Sequence, residues 1–225
     1  MRDDAAVLAS GEDSAALGGF LITGRSGLLS GTSVATHRGW CPVESLTLGD
    51  RVLTFDHRMQ TVTDIQRDVF APPEGNLRDD QRPVRVPAGA LFNDHETFLM
   101  PEQGVIIESD EVCDAMGDPY AVVPANALLG LRGIEPAAPG PLLQVTTLAF
   151  DRDEAIYLEG DLLVYCPHPQ QPLFDTGGQN ALYPVLSGAG ARELVARLLG
   201  GDHDEGGAMA SFSGTPQSAF AALSA

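Results

Sequence analysis

Ser30-Gly31-Thr32-Ser33-Val34-Ala35-Thr36-His37-Arg38-Gly39-Trp40-Cys41-Pro42-Val43-Glu44-Ser45-Leu46-Thr47-Leu48-Gly49-Asp50-Arg51-Val52-Leu53-Thr54-Phe55-Asp56 is the stretch on which the reading of this chain turns. Ser33 to Thr36 and Arg51 to Phe55 are short β-branched or alternating runs, the composition of strands rather than helices. Turn residues stand between them: His37-Arg38-Gly39 follows the first run and Leu48-Gly49-Asp50 precedes the second. Gly49-Asp50 therefore predicts a tight turn, and the alternation of a strand puts Val52 and Leu53 on opposite faces.

The same texture continues outward. Runs at Thr61 to Phe70, Val84 to Val86, Val105 to Ile107, Leu142 to Leu148, Ala155 to Leu158 and Leu162 to Tyr165 are separated by Gly, Pro and Asp, with Glu159-Gly160 in a hairpin setting. Many short strands between turns predict an all-β domain over 27–168. Val86-Pro87-Ala88-Gly89-Ala90-Leu91 recurs as Val123-Pro124-Ala125-Asn126-Ala127-Leu128, five identities in six at an offset of 37. Duplication of a β unit and chance in an Ala- and Leu-rich chain both produce such an echo.

Outside the domain, 1–26 reads as a flexible acidic leader and 169–201 as a linker followed by one helix. That helix spans Ala189 to Leu199, with Ser187 near its start, Leu194, Val195, Leu198 and Leu199 on one face, and Gly200-Gly201 at its stop. The Gly-, Ser- and Ala-rich 202–225 reads as a flexible tail.

Charge narrows the function classes. Of 225 residues, 31 are acidic and 13 basic, every basic one an Arg, for a formal charge of -18. Nucleic acid and anionic lipid surfaces demand the opposite sign, so the expected partner is a protein, with no nucleic acid and no membrane. Cys41, Cys113 and Cys166 are too few and too widely spaced for a disulfide framework or a zinc knuckle. Met1 to Asp13 carries Asp3, Asp4, Glu12 and Asp13 where a secretory signal needs positive charge, and no apolar run is long enough to span a bilayer. The expectation is a cytoplasmic protein, although export by a folded or C-terminal signal leaves no mark in such a sequence.

The opening stretch resembles the start of the Hint fold shared by hedgehog autoprocessing domains and inteins, in particular the bacterial Hint-domain family. The matching positions are Gly31-Thr32, Gly39, Pro42-Val43-Glu44, Leu46, Gly49-Asp50 and Asp56. Val84 to Leu91, Met100 to Ile107, Val123 to Leu128 and Asp151 to Gly160 are similar to later blocks of that family, so the resemblance runs from Gly27 to Cys166; Tyr183-Pro184-Val185-Leu186 and the helix resemble a tail common beside it. It implies a β horseshoe with pseudo-twofold symmetry, which would account for the internal echo.

The resemblance also implies a chemistry. In the family a Cys, less often Ser or Thr, attacks the carbonyl of the preceding residue, a His protonates the departing amide nitrogen, and polar donors hold the oxyanion. The nucleophile sits four residues before the Gly of Gly-Thr, which here is Gly27. The assisting His falls at Gln103, within Met100-Pro101-Glu102-Gln103, and a further His falls at Thr147. Glycine cannot attack, and glutamine cannot transfer a proton near neutral pH. No His-Asn dipeptide of the kind that ends an intein is present, so splicing is not expected.

The expectation is a Hint-like module that has lost autoprocessing and serves binding or assembly, without a cofactor or metal. The alternative is self-cleavage through Ser26 or Ser30, each of which needs a shift of register to reach the family position. Other candidates have plainer readings. His37 and Cys41 form a polar turn and a half-buried thiol rather than a catalytic pair, since spacing supplies no third orienting group. Asp94-His95-Glu96 and Asp202-His203-Asp204-Glu205 read as solvated loop charge rather than metal ligands. Cys166 and His168 are equally weak, Trp40 reads as a packing anchor, and Thr32 as a local hydrogen-bonding turn residue.

Overall fold

The computed structural model describes residues 25–71, 78–114, 116–138, 140–168, 182–186 and 188–201. Residues 1–24 of the expected leader, 169–181 of the linker, Ser187, Asp202-His203-Asp204-Glu205 and the rest of the tail lie outside this set.

Fourteen short strands and one α-helix are described: β1 (Leu28–Leu29), β2 (Ser33–Thr36), β3 (Gly39–Pro42), β4 (Arg51–Thr54), β5 (Arg58–Thr61), β6 (Asp64–Phe70), β7 (Val84–Val86), β8 (Thr97–Leu99), β9 (Gly104–Glu108), β10 (Tyr120–Pro124), β11 (Glu135–Pro136), β12 (Leu143–Ala149), β13 (Glu154–Leu158), β14 (Leu162–Cys166) and α1 (Gly188–Gly201). They form two open antiparallel sheets. One runs β11-β7-β8-β1-β12-β6; the other runs β10-β9-β14-β13-β2-β4-β5, with β3 paired to β2. The chain is all-β with a single helix, as its turn-punctuated runs predict.

The centre of sheet two is apolar on both faces, and β13 and β14 show why. Ile156, Leu158, Leu162 and Val164 enter the main core; Ala155, Tyr157, Leu163 and Tyr165, one residue out of phase, enter a second core with Tyr183. Successive side chains on a strand point to opposite faces, so an unbroken apolar run is what a doubly covered hairpin needs. Val52 and Leu53 divide the same way, into the main and second cores respectively. Between β13 and β14 the turn holds Glu159 at φ +49 and Gly160 at φ +122.

The segment 182–186 closes the second core. Val185 bridges Val122 in parallel, with Val122 N–H donating to Pro184 O at 2.9 Å and Leu186 N–H to Val122 O at 2.8 Å. Helix α1 packs on the 3-10 helix Ala125–Leu128. Its buried contacts are Ala191, Leu194 and Val195, while Leu198, expected to anchor it, is only half-buried beside Leu199.

The two copies of the echo close strands in different sheets, Val86 ending β7 and Val123-Pro124 ending β10. Leu91 and Leu128 then bury in the same core. Trp40, expected as an anchor, is 40% exposed. It lies on β3, which pairs only with β2 among the described strands, and its alternation turns Trp40 to solvent. Among the described residues no helix is long and apolar enough to cross a membrane.

Candidate functional site

Gly27, Gln103 and Thr147 come from three distant parts of the chain and meet. Gly27 precedes β1, Thr147 lies on β12, and β12 pairs with β1 through Leu28↔Thr146 and Leu29↔Val145. Gly27 has φ +111, a conformation L side chains rarely adopt. A Cβ built there would stand 2.5 Å from Val145 Cγ1, 3.0 Å from Thr147 Oγ1 and 3.3 Å from Thr146 O. Both backbone and space therefore call for glycine.

Gln103 reaches this point from a turn. Its N–H donates to Met100 O at 3.0 Å with Pro101 preset in between, and the turn is tied to the start of the domain by Glu102 N–H to Arg25 O at 2.7 Å and by the Arg25–Glu102 ion pair at 3.0 Å. The Gln103 side chain is buried with all its polar capacity directed at protein. Oε1 accepts from Gly27 N–H at 3.0 Å and faces Ser26 Oγ at 3.5 Å, while Nε2 donates to Tyr165 O at 2.9 Å and Gly104 O at 3.1 Å. A backbone donor on one side and two carbonyls on the other fix which way the amide points.

Chemically the cluster holds hydroxyls and an amide. Ser26 sits closer to it than its one-residue offset predicts, because its hydroxyl can donate to Gln103 Oε1 across the top of Gly27. Ser30 is directed elsewhere, to Gln144 Oε1 at 3.4 Å on the surface.

The family-motif residues have visible architectural tasks. Glu44 Oε2 accepts Gly31 N–H at 2.9 Å, locking the turn after β1 to the 3-10 helix Val43–Ser45. Thr32 closes that turn through its backbone, donating to Leu29 O and accepting from Val43 N–H. Val43 and Leu46 are wholly buried, Pro42 caps the 3-10 helix by accepting Ser45 Oγ, and Gly39 turns at φ +96. Gly49 turns at φ +88; Asp50 Oδ2 accepts Thr47 N–H at 2.8 Å, Thr47 Oγ1 at 3.1 Å and Arg38 Nη2 at 3.1 Å. The Thr47 backbone N–H, foremost, holds the Asp50 carboxyl below its ordinary range.

The minor candidates do not assemble. Cys41 Sγ lies 3.4 Å from Thr36 Oγ1, whereas the His37 ring lies at Arg51 O. Glu96 pairs with Arg85, and among the described residues no group of three His, Cys, Asp or Glu is placed to hold a metal ion. Burial pushes the Cys166 thiol up to about 12, so it stays protonated; His168 N–H donates to Asp153 Oδ1.

One polar cluster escaped the sequence. His57 Nδ1 lies 3.1 Å from Oε2 of Glu154, a wholly buried carboxyl at the start of β13, and Tyr183 Oη–H donates to Asp56 Oδ2. Burial pushes both carboxyls above their ordinary range, with His57 opposing it at Glu154 and Tyr183 opposing it at Asp56. Asp56 ends the recognisable motif, but Glu154 and Tyr183 lie 97 and 127 residues from their partners and carry no local signal.

Two open antiparallel sheets, with the three positions meeting where β1 pairs with β12 and the turn before β9 approaches, agree with the Hint-fold resemblance of the sequence. The chain belongs to the Hint domain family, whose model matches residues 26–163. It is similar to the solution structure of a bacterial intein-like domain from Clostridium thermocellum, at 12% identity and TM-score 0.41, over 62% of this chain and 98% of that one. It is also similar to the MchDnaB-1 intein, at 14% identity and TM-score 0.38 over 61% and 98%, and to the gp41-1 intein, at 13% and 0.35 over 61% and 97%. No curated protein matches the chain.

Proposed function

We propose that this chain is a Hint-fold module that has lost autoprocessing and acts by binding or assembling with another protein. The observation that carries the proposal is the closed Gly27–Gln103 contact. Where self-cleavage needs a nucleophile beside a proton donor, a glycine N–H is bonded to an amide oxygen whose own nitrogen is committed to Gly104 and Tyr165 carbonyls. Thr147 adds a hydroxyl, which cannot act as a general acid near neutral pH as an imidazolium does. With its acidic surface the module suits a protein partner rather than nucleic acid or an anionic membrane, and it needs no cofactor.

Self-cleavage through Ser26 is the second reading, favoured by the 3.5 Å approach of its hydroxyl to Gln103. It would attack the Arg25 carbonyl with no imidazole to protonate the leaving nitrogen. Intact mass after a day with hydroxylamine or a strong thiol separates the two. A full-length chain supports the non-catalytic module, whereas a break at Arg25-Ser26 or Leu29-Ser30 that disappears in the matching Ser26→Ala or Ser30→Ala variant overturns it.

A further inference from the structure

A groove of about 590 Å³ opens in sheet one, within the size range of ligand pockets. Its origin is a divergence of strands. β1 and β8 pair only at Leu28↔Leu99; beyond that point the chain at Leu29 enters the Gly31 turn, while β8 continues along β7 through Arg85↔Phe98 and Val86↔Thr97. The groove lies between the parted segments, lined by Leu29 to Thr32 on one side and Glu96 to Phe98 on the other. The connection from β11 to β12 crosses here, and its lining residues Ala137, Ala138 and Gly140 have too little bulk to fill the space.

The lining has a distinct chemistry. Phe98 and Leu142 stand 38% and 60% exposed, beside half-buried Leu29. The charged residues among the described lining are both acids, Glu96 and Glu159. Arg85 neutralises Glu96 from outside, through Nε at 2.8 Å. Among the described residues no Arg forms an ion pair with Glu159: its Oε1 accepts Ser33 N–H, and its backbone is pinned at φ +49 with N–H donating to Ser33 O at 3.1 Å. A carboxylate is thus held rigidly beside exposed apolar surface, in a chain whose overall charge draws cations towards it.

Resting on the binding-module reading, we infer that this groove receives an extended segment of a partner protein in which an aliphatic or aromatic residue adjoins an Arg or Lys. The apolar side chain packs on Leu29, Phe98 and Leu142, and the cation pairs with Glu159.

The test pans the immobilised full-length chain against a displayed library of random peptides, then measures the enriched peptide, synthesised with a fluorescent label, by polarisation. Expected are sequences joining apolar residues to Arg or Lys. Their binding falls about fivefold in Glu159→Gln, the fold-change of an exposed ion pair. Phe98→Asp combined with Leu142→Asp abolishes it, and both positions are exposed enough for the fold to persist, as circular dichroism of the variant verifies. Absence of enrichment, acidic winners, or binding unchanged in both variants overturns the inference. Intact mass of the same sample keeps the two readings apart: a failed selection on an uncleaved chain sinks the groove alone, whereas self-cleavage sinks the non-catalytic module.

Discussion

Placing a thiol at the family's nucleophile position by Gly27→Cys should damage the fold rather than bring about cleavage, and the structure gives the size of the damage. At φ +111 any L side chain is strained, at a cost of about 1–3 kcal/mol. Its Cβ would also stand 2.5 Å from Val145 Cγ1, a buried branched side chain with little freedom to turn away, which adds about 1–3 kcal/mol of overpacking. Together these destabilise by about 2–6 kcal/mol, or about 5–20 °C in melting temperature for a domain of this size. Val145→Ala in the same chain removes the clash and leaves the strain. The double variant should therefore be more stable than the sum of the single losses by about 1–2 kcal/mol, the coupling expected of residues in contact. Urea denaturation of the four proteins measures that cycle. A Gly27→Cys variant melting with the parent, or a cycle with no coupling, would refute the reasoning, and the folded fraction of either variant should keep its full mass because Gln103 and Thr147 remain.

Gln103→Ala leaves Gly27 N–H and the Tyr165 and Gly104 carbonyls without their partner in a buried site, and should cost about 2–4 kcal/mol by urea titration. Gly49→Val, at φ +88 with open space around it, should cost about 1–3 kcal/mol through backbone strain alone, read as a lower melting temperature. Tyr183→Phe removes the donor to Asp56 and should cost about 1–3 kcal/mol, loosening the 182–186 segment first, as local hydrogen exchange would detect. Glu154 has a folded pKa raised above its ordinary 4.5, so the folded state binds more protons than the unfolded one above that value. Its contribution is therefore full below pH 4.5 and lost as pH rises through the folded pKa; Glu154→Gln should flatten that part of the stability profile, and parallel profiles would contradict the assignment.

Legibility in the sequence followed local pattern. β2, β7 and the β13–β14 hairpin were readable because β-branched runs stand between turn residues. β1 is two residues long and offers no period to detect. β3 reads as a turn because Gly39 and Pro42 disfavour strands, yet it pairs along its whole length with β2 on an otherwise open side, where Pro is tolerated. β5 starts at Arg58 with φ +58, a backbone value that no residue pattern announces. Gly27, Gln103 and Thr147 could be aligned to one another only through the family resemblance. That Gly27 N–H is bonded to Gln103, and that Glu154 meets His57, depend on sheet pairings between segments 76 and 97 residues apart, which no local window contains.

The residues that carry the resemblance are also the ones with structural tasks, and this limits what the resemblance can say. Glu44 caps the turn at Gly31, Asp50 gathers the Thr47 turn, Val43 and Leu46 fill the core, and Asp56 receives Tyr183. Each of these would be needed whether or not a peptide bond is ever broken. The positions to which the resemblance assigns chemistry number three, and none borrows its geometry from the Gly-Thr to Asp56 motif. Gly27 is set by β12, Gln103 by a Pro turn, and Thr147 by its register with β6. Scaffold and catalysis are therefore separable in this fold. On the proposed reading, a chain keeps the first entire while an amide and a glycine stand at the place where the second would occur, and the groove beside Glu159 is the surface it offers a partner.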